Sequence, residues 1–412
     1  MNKHLPLIAN ILLLILLTVH AYRLLVMGTE RAIKADFSVY CEAASRLGKG
    51  ENIYQHVYQE DIYRRIFGPS VRPEKRFYMH YFYTPFIAWA FQPLAQLPYA
   101  EAKQIWTQIN FVLYLFCAVV LTSLLGRWRP GGYSDLTRLN VVLAAFIVFD
   151  PFFFTFYEGQ IDLVVLALLL CYFLWSREKK EGRAGVALAL AVVAKMSPLL
   201  LLVEVVWHRR LKSLTSFVAT LVVLALWMLS SSIPLETYSD FFLKFGALAS
   251  GSLETSLFFN VAFAKTLLYP FGLENAALVR AIISIVVLVI SLVLLGRMPG
   301  DERSRERQRA YLVILMFLLS PTVWFHHFVW ALIPWLVCVE LVGDFKAPSY
   351  PRWCVLIAIY LALAKAWTFH ALAFSYNPNL AQWTALIPNT ALISMAYVLV
   401  TRSWLKLARE RR

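Results

Sequence analysis

Long apolar runs recur from one end of this chain to the other, and short basic clusters separate them. Hydrophobic residues make up 60% of the 412 residues and charged residues 16%. In soluble domains about 45–50% of residues are apolar and about 25% are charged. The runs therefore predict an all-α polytopic membrane protein that is embedded in the lipid bilayer.

The net charge of +14 is divided among the basic clusters and does not form one basic patch. The clusters span 127–138, 177–183, 208–212, 297–309 and 405–412. Basic loops between apolar runs are typical of the cytoplasmic side of a membrane. We therefore expect a multi-pass protein of the cell (inner or plasma) membrane with both termini cytoplasmic, and no nucleic-acid partner.

Assigning the apolar runs to alternate crossings gives about twelve membrane segments in one domain, 1–412. The first large external loop is 28–100, and it contains two apolar pieces that we expect to lie in the membrane plane. The first begins near Asp36 and has apolar residues at helical spacing. The second, 80–98, is short for a span and contains two prolines. The run 184–207 is broken at Lys195, which predicts two short helices meeting at a cavity.

This topology places seven polar residues at external helix ends or breaks, where ionisable groups are costly and therefore suggest a site. They are Asp36, Glu158, Gln160, Asp162, Lys195, His326 and His327. A carboxylate beside cationic groups suits transfer from a lipid-linked phosphate. Lys195 and the histidines would hold the phosphate, and Asp36 would deprotonate the acceptor hydroxyl. Tyr40, Glu158, Gln160 and Asp162 are candidates for sugar or acceptor contacts.

Each residue also has a structural alternative. Asp36 could be a helix N-cap, Lys195 could extend to the interface, and Glu158 to Gln160 could form an ordinary turn. His326 and His327 could bind a metal, but no Cys or carboxylate stands at ligand spacing in the sequence. We expect no metal and no cofactor, since a lipid-linked sugar donor is itself a substrate.

Five short motifs occur in an order and spacing that resemble glycosyltransferase family 87, within the GT-C superfamily. They are Asp36-x-x-Val39-Tyr40 with Ala43-Ala44, Gly50 and Tyr54; Tyr83-Thr84-Pro85; Gly159-Gln160-x-Asp162-Leu163; Ala194-Lys195-Met196-Ser197-Pro198; and Ser320-Pro321-x-x-Trp324-x-His326-His327.

The resemblance implies a GT-C fold, a polyprenyl-phosphate sugar donor and inversion at the anomeric carbon. It also implies that Asp36 is the base and that Lys195 and the histidine pair lie near the donor phosphate. The chain departs from the family at Asp162, where relatives often carry Asn, and at 253–256. From the resemblance we expect a hexosyltransferase, most simply a mannosyltransferase, that acts on a glycolipid or glycan at the extracytoplasmic face. The alternative is a transporter or flippase of lipid-linked sugars.

Overall fold

The computed structural model describes residues 5–29, 35–54, 81–128, 135–231, 233–250, 260–273, 276–343, 350–376 and 383–410. Within these ranges the chain forms helices and no strands. The α-helices are α1 Leu5–Thr29, α2 Ala35–Gly48, α3 Pro85–Ala95, α4 Tyr99–Trp128, α5 Asp135–Val148, α6 Asp150–Glu158, α7 Asp162–Arg177, α8 Glu181–Ala194, α9 Leu202–Trp207, α10 Leu211–Ser230, α11 Leu235–Ser250, α12 Phe263–Leu268, α13 Ala277–Gly296, α14 Glu302–Leu318, α15 Leu332–Gly343, α16 Tyr350–Ala364, α17 Ala366–Tyr376 and α18 Leu386–Glu410. Three 3₁₀ helices are Ser197–Leu201, Tyr269–Phe271 and Phe325–Ala331.

Among the described residues, three helices are long and apolar enough to cross a membrane: Tyr99–Leu124, Leu211–Ser230 and Ala277–Gly296. Two bent helix pairs, α5 with α6 and α16 with α17, would raise the number to five. The all-helical expectation is confirmed, and the twelve-segment expectation stays a prediction. Many of the remaining helices are shorter than the roughly 20 residues that a straight crossing needs.

The two bends are joined to each other. The α5–α6 pair turns by 66° and the α16–α17 pair by 60°. Pro151 at the start of α6 lacks a backbone N–H, which favours a break there. Lys365, at the second bend, places its Nζ 2.7 Å from Asp150 Oδ1, and Thr368 donates to the other oxygen at 2.7 Å. These contacts fix the α5–α6 bend against the α16–α17 bend.

Three of the basic clusters meet at one end of the helical bundle, here called the basic end. Arg177 Nε lies 3.4 Å from Glu306, and His208 Nε2 lies 2.6 Å from Gln308. Three of the five clusters, 177–183, 208–212 and 297–309, are thereby brought together. Their common position is the arrangement that the charge pattern predicts for cytoplasmic loops.

A buried charge cluster fixes the basic end. The Glu204 carboxylate accepts hydrogen bonds from Tyr172 at 2.7 Å, from Arg210 at 3.0 Å and from Arg309 at 3.0 Å. All four side chains are buried. Because each charge has a partner, the cluster avoids the large cost of an uncompensated charge in an apolar interior.

The predicted break at Lys195 is present, and the chain turns back there. Helix α8 ends at Ala194, and Lys195 is extended at φ −150° and ψ 133°. Pro198 then opens the following 3₁₀ helix. Arg210 lies 3.5 Å from Glu181, so both halves return to the basic end. Helices α8 and α10 approach closely at Gly185, where a Cβ atom would lie 2.2 Å from the Ser213 carbonyl oxygen.

The helix predicted around Asp36 is α2, and its apolar positions are buried. They are Tyr40, Ala43, Ala44 and Leu47. The second apolar piece forms α3, which is shorter than 80–98 because it begins at Pro85, a residue suited to the first helical turn. Thr84 donates to the Val193 carbonyl at 2.7 Å, which ties α3 to the break. The remainder of the first loop, 55–80, and the departure at 253–256 lie outside the described residues.

Candidate active site

A cavity of about 890 Å³ opens at the end of the bundle opposite the basic end. Its size is within the range of sites that bind small molecules. Six of the predicted site residues line it: Asp36, Glu158, Gln160, Lys195, His326 and His327. Tyr40 and Asp162 lie behind this lining, and both are buried. The fold therefore brings together residues that lie up to 291 positions apart in the sequence (36 and 327).

The turn between α6 and α7 aims Gln160 into the cavity. Gly159 ends α6 in the left-handed conformation, at φ 66° and ψ 38°, which glycine adopts without strain. The backbone N–H of Gln160 then donates to the Thr155 carbonyl oxygen at 2.9 Å. Trp106 donates to the Gly159 carbonyl at 2.7 Å, so the turn is fixed on both sides.

Gln160 connects three residues of the segment between α1 and α4. Its Oε1 accepts hydrogen bonds from the hydroxyls of Tyr40 at 2.7 Å and Tyr83 at 3.0 Å. Two donors on Oε1 leave the amide nitrogen pointing the other way, where it donates to Asp36 Oδ2. The side chain of Asp36 is thereby oriented in the cavity wall.

Two opposing influences set the pKa of Asp36. Burial is the largest influence and raises the pKa of Asp36, the Gln160 hydrogen bond and the Lys195 charge lower it, and the resulting pKa is about 6. With its pKa raised toward neutral pH, the Asp36 carboxylate is a stronger base than an ordinary aspartate. A general base works best when its pKa lies near the working pH.

Lys195 is held by Asp162. Its Nζ lies 2.8 Å from Asp162 Oδ1 in a pair that is almost entirely buried. The same Nζ is 5.1 Å from the ring centre of Trp330 and 5.8 Å from that of Tyr83. The ammonium group is therefore placed by one carboxylate and two aromatic rings. The ammonium has three N–H donors, and Asp162 uses only one of them.

The histidine pair lies on the 3₁₀ helix Phe325–Ala331, against the same aspartate. His326 Nε2 is 3.6 Å from Asp162 Oδ2, and neither atom has a hydrogen-bond partner in the part of the chain that is described. His327 stacks on Trp330 with a ring-centre distance of 5.3 Å. Trp330 in turn donates to the Asp162 carbonyl at 3.1 Å.

Asp162, His326 and His327 are also the residues that could hold a metal, since their ligand atoms lie within 4.8 Å of one another. Residue spacing alone does not indicate that this carboxylate lies near the histidines. Lys195 Nζ already occupies one Asp162 oxygen, and the Trp324 N–H contacts His327 Nδ1 at 3.3 Å. A metal cation at this position would compete with the Lys195 ammonium for the Asp162 carboxylate.

Tyr83 and Trp330 were not among the residues predicted from the sequence, although both line the cavity. Tyr83 belongs to the Tyr83-Thr84-Pro85 motif, which is the one signal that could have found it. Trp330 is one residue in a run of apolar and aromatic residues, and nothing in that run distinguishes it.

The model of glycosyltransferase family 87 matches residues 81–321, more than half of the chain. The chain belongs to glycosyltransferase family 87. The resemblance noted from the motifs is confirmed, and the protein is an enzyme that transfers glycosyl groups. Four of the five motifs overlap the matched region, and Asp36 lies before it.

Three curated mannosyltransferases are similar to this family 87 chain. One from Mycolicibacterium smegmatis, a polyprenol-phosphate-mannose-dependent alpha-(1-2)-phosphatidylinositol pentamannoside mannosyltransferase, is 26% identical over 73% of this chain and 69% of its own length. Its Mycobacterium tuberculosis counterpart is also 26% identical, over 73% and 66%. A phosphatidylinositol mannoside mannosyltransferase from M. smegmatis is 24% identical over 63% and 62%.

Proposed function

We propose that this enzyme moves a mannosyl group from a polyprenyl-phosphate carrier to a hydroxyl of a glycolipid acceptor. The observation that carries the proposal is one cavity that contains both an oriented carboxylate, Asp36, and a buried ammonium, Lys195. The names of the curated relatives support the choice of mannose, of polyprenyl phosphate and of a glycolipid.

The donor phosphate would bind at Lys195, His326 and His327. Lys195 has N–H donors beyond the one used by Asp162, and charge-assisted hydrogen bonds to phosphate are strong. As the bond between the anomeric carbon and the phosphate oxygen breaks, negative charge grows on that oxygen. A preorganised ammonium stabilises this charge in the transition state.

The carrier's isoprenoid tail would leave the site along apolar side chains of the 3₁₀ helix after Lys195, of α9 and of α14. Leu199, Leu202 and Val203 line the cavity on this side. Leu199 is 41% exposed and Val206, further along α9, is 58% exposed. This apolar surface leads from the cavity to the outside of the bundle, where lipid would be.

Asp36 would act as general base on the acceptor. Its carboxylate takes the proton of the acceptor hydroxyl while the oxygen forms a bond to the anomeric carbon and polyprenyl phosphate leaves. Phosphate is a good leaving group, so one base is enough. Attack opposite the departing phosphate inverts the configuration at the anomeric carbon. Tyr40 and Gln160 would orient Asp36, while Glu158 would contact the acceptor.

The cavity would face the extracytoplasmic side, with both termini in the cytoplasm. Three of the basic clusters lie at the opposite end of the bundle, and such clusters remain on the cytoplasmic side. Helix α7 runs from Asp162 at the cavity to Arg177 at the basic end, about 24 Å at 1.5 Å per residue.

Purified protein in detergent, supplied with polyprenyl-phosphate mannose and octyl α-D-mannopyranoside, tests the proposal. We expect release of polyprenyl phosphate together with a dimannoside product. In vesicles, movement of intact donor across the membrane without cleavage would support a flippase and contradict the proposal.

A further inference from the structure

The cavity has two walls of different chemistry. On one side lie the aliphatic and thioether side chains of Leu199, Leu200, Leu202, Val203, Met316 and Leu319, here called the aliphatic wall. On another lie Phe154, Trp324, Phe325 and Trp367 with the carboxylate of Glu158, here called the aromatic wall. Two surfaces of such different chemistry suit two different ligand groups, an isoprenoid chain on the aliphatic wall and a ring on the aromatic wall.

The aromatic wall is assembled from three separate elements whose rings contact one another. Phe154 of α6 lies 4.5 Å from Trp367 of α17, with ring planes at 62°. Trp367 lies 5.3 Å from Phe325 of the 3₁₀ helix, with ring planes at 73°. These contacts hold the rings in defined orientations, as a rigid binding surface requires.

Glu158 adds a polar group to this wall. It stands four residues after Phe154 on α6, so the two side chains share one face of the helix. Both are only partly buried and both line the cavity. A carboxylate beside flat aromatic rings matches a pyranose, which has hydroxyl donors at its edge and apolar C–H groups on its face.

We propose that the aromatic wall is the acceptor subsite, and that it binds a pyranose ring of the glycolipid acceptor. The inference rests on the proposed function, because it takes the cavity to hold a donor phosphate at Lys195. With the phosphate there and the isoprenoid tail on the aliphatic wall, the aromatic wall remains for the second substrate. Ring faces of Phe154 and Trp367 pack on the sugar, and Glu158 accepts hydrogen bonds from its hydroxyls.

The position of this wall relative to the base agrees with the assignment. Glu158 precedes Gln160 by two residues, so their Cα atoms lie within about 7 Å of each other. Gln160 donates to Asp36. Glu158 and Asp36 also line the same cavity, so a sugar hydroxyl bound beside Glu158 shares that space with the carboxylate that must take its proton.

The test is a comparison of KM values for two probes, octyl α-D-mannopyranoside as acceptor and polyprenyl-phosphate mannose as donor. Trp367→Ala and Glu158→Gln should raise the acceptor KM about tenfold, the effect of losing roughly 1.4 kcal/mol of contact. The donor KM should stay unchanged.

Two further variants separate binding from folding. Trp367→Phe retains the apolar packing against Phe325, so it should fold normally and show a smaller rise in acceptor KM. Leu199→Ala, on the aliphatic wall, should raise the donor KM and leave the acceptor KM as it was.

If the native protein turns over the donor but the acceptor KM is unchanged in both Trp367→Ala and Glu158→Gln, the subsite proposal is wrong and the proposed function stands. A rise in the donor KM in those variants overturns the subsite proposal as well. If the native protein fails to turn over the donor at all, the proposed function fails and the subsite fails with it.

Discussion

Gln160 donates a hydrogen bond to the Asp36 carboxylate although 124 positions separate the two residues in the sequence. The hydroxyls of Tyr40 and Tyr83 fix the orientation of this amide by donating to its oxygen. The arrangement stabilises the ionised form of Asp36, because the carboxylate accepts a bond that the protonated acid accepts less well. It also ties the proposed base to the turn that carries Glu158.

The pH dependence of transfer should show an acid limb controlled by Asp36. Since the pKa of Asp36 is raised to about 6, the carboxylate is protonated and inactive below that pH, and activity rises as pH increases through it. The rate of mannosyl transfer at saturating donor, measured against pH, checks this. An acid limb at the ordinary pKa of an aspartate would contradict it.

Replacing Gln160 by Met should move the acid limb of the pH–rate profile to higher pH. The Gln160 hydrogen bond lowers the pKa of Asp36, so its loss raises the pKa and leaves less base at neutral pH. At sufficiently high pH the rate should recover part of its native value. A variant whose rate falls equally at every pH would show that Gln160 acts in some other way.

Lys195→Met should lower kcat/KM for the donor by about 10²–10³, the usual effect of removing one group that stabilises developing charge. Lys365→Met is the matched control. Lys365 also pairs with an aspartate, at 2.7 Å, but it does not line the cavity. Equal losses in the two variants would mean that Lys195 acts through folding and not through the donor phosphate.

Glu204→Gln should destabilise the protein by about 3–5 kcal/mol, because it leaves the buried charges of Arg210 and Arg309 without their carboxylate. Thermal unfolding in detergent measures the change. Glu181→Gln is the control, since its contact with Arg210 is 3.5 Å long and its side chain is 30% exposed. A larger loss in Glu181→Gln would contradict the importance of the buried cluster.

Gly159→Ala should reduce both stability and kcat. The residue has φ 66°, and an added Cβ would lie 2.7 Å from Phe37 Cβ, so the turn must shift and Gln160 with it. Gly50→Ala is the control that has the backbone strain without the steric clash. Gly50 has φ 75°, and no atom lies within 4 Å of the added Cβ. We expect Gly50→Ala to lose a little stability and no activity.

Local signals made part of this structure predictable from the sequence. The helix α2 follows from apolar residues at helical spacing after Asp36. The break at Lys195 follows from Pro198 and from basic clusters on both sides of one apolar run. Both features depend on residues close together in the chain.

Long-range contacts were not predictable in the same way. Lys195 and Asp162 are 33 positions apart, and Tyr83 and Gln160 are 77 apart. No periodicity specifies which of several polar residues will meet across helices. The bend at Lys365 has no proline to mark it. The roles of the site residues stay predictions that the variants above test.

The most direct measurement compares native protein with Asp36→Asn for mannosyl transfer and for donor binding. Asparagine keeps the shape of the side chain but cannot take a proton, so transfer should fall by about 10²–10⁴ while the donor still binds with native affinity. Transfer at the native rate by a folded Asp36→Asn protein would contradict the assignment of Asp36 as the base.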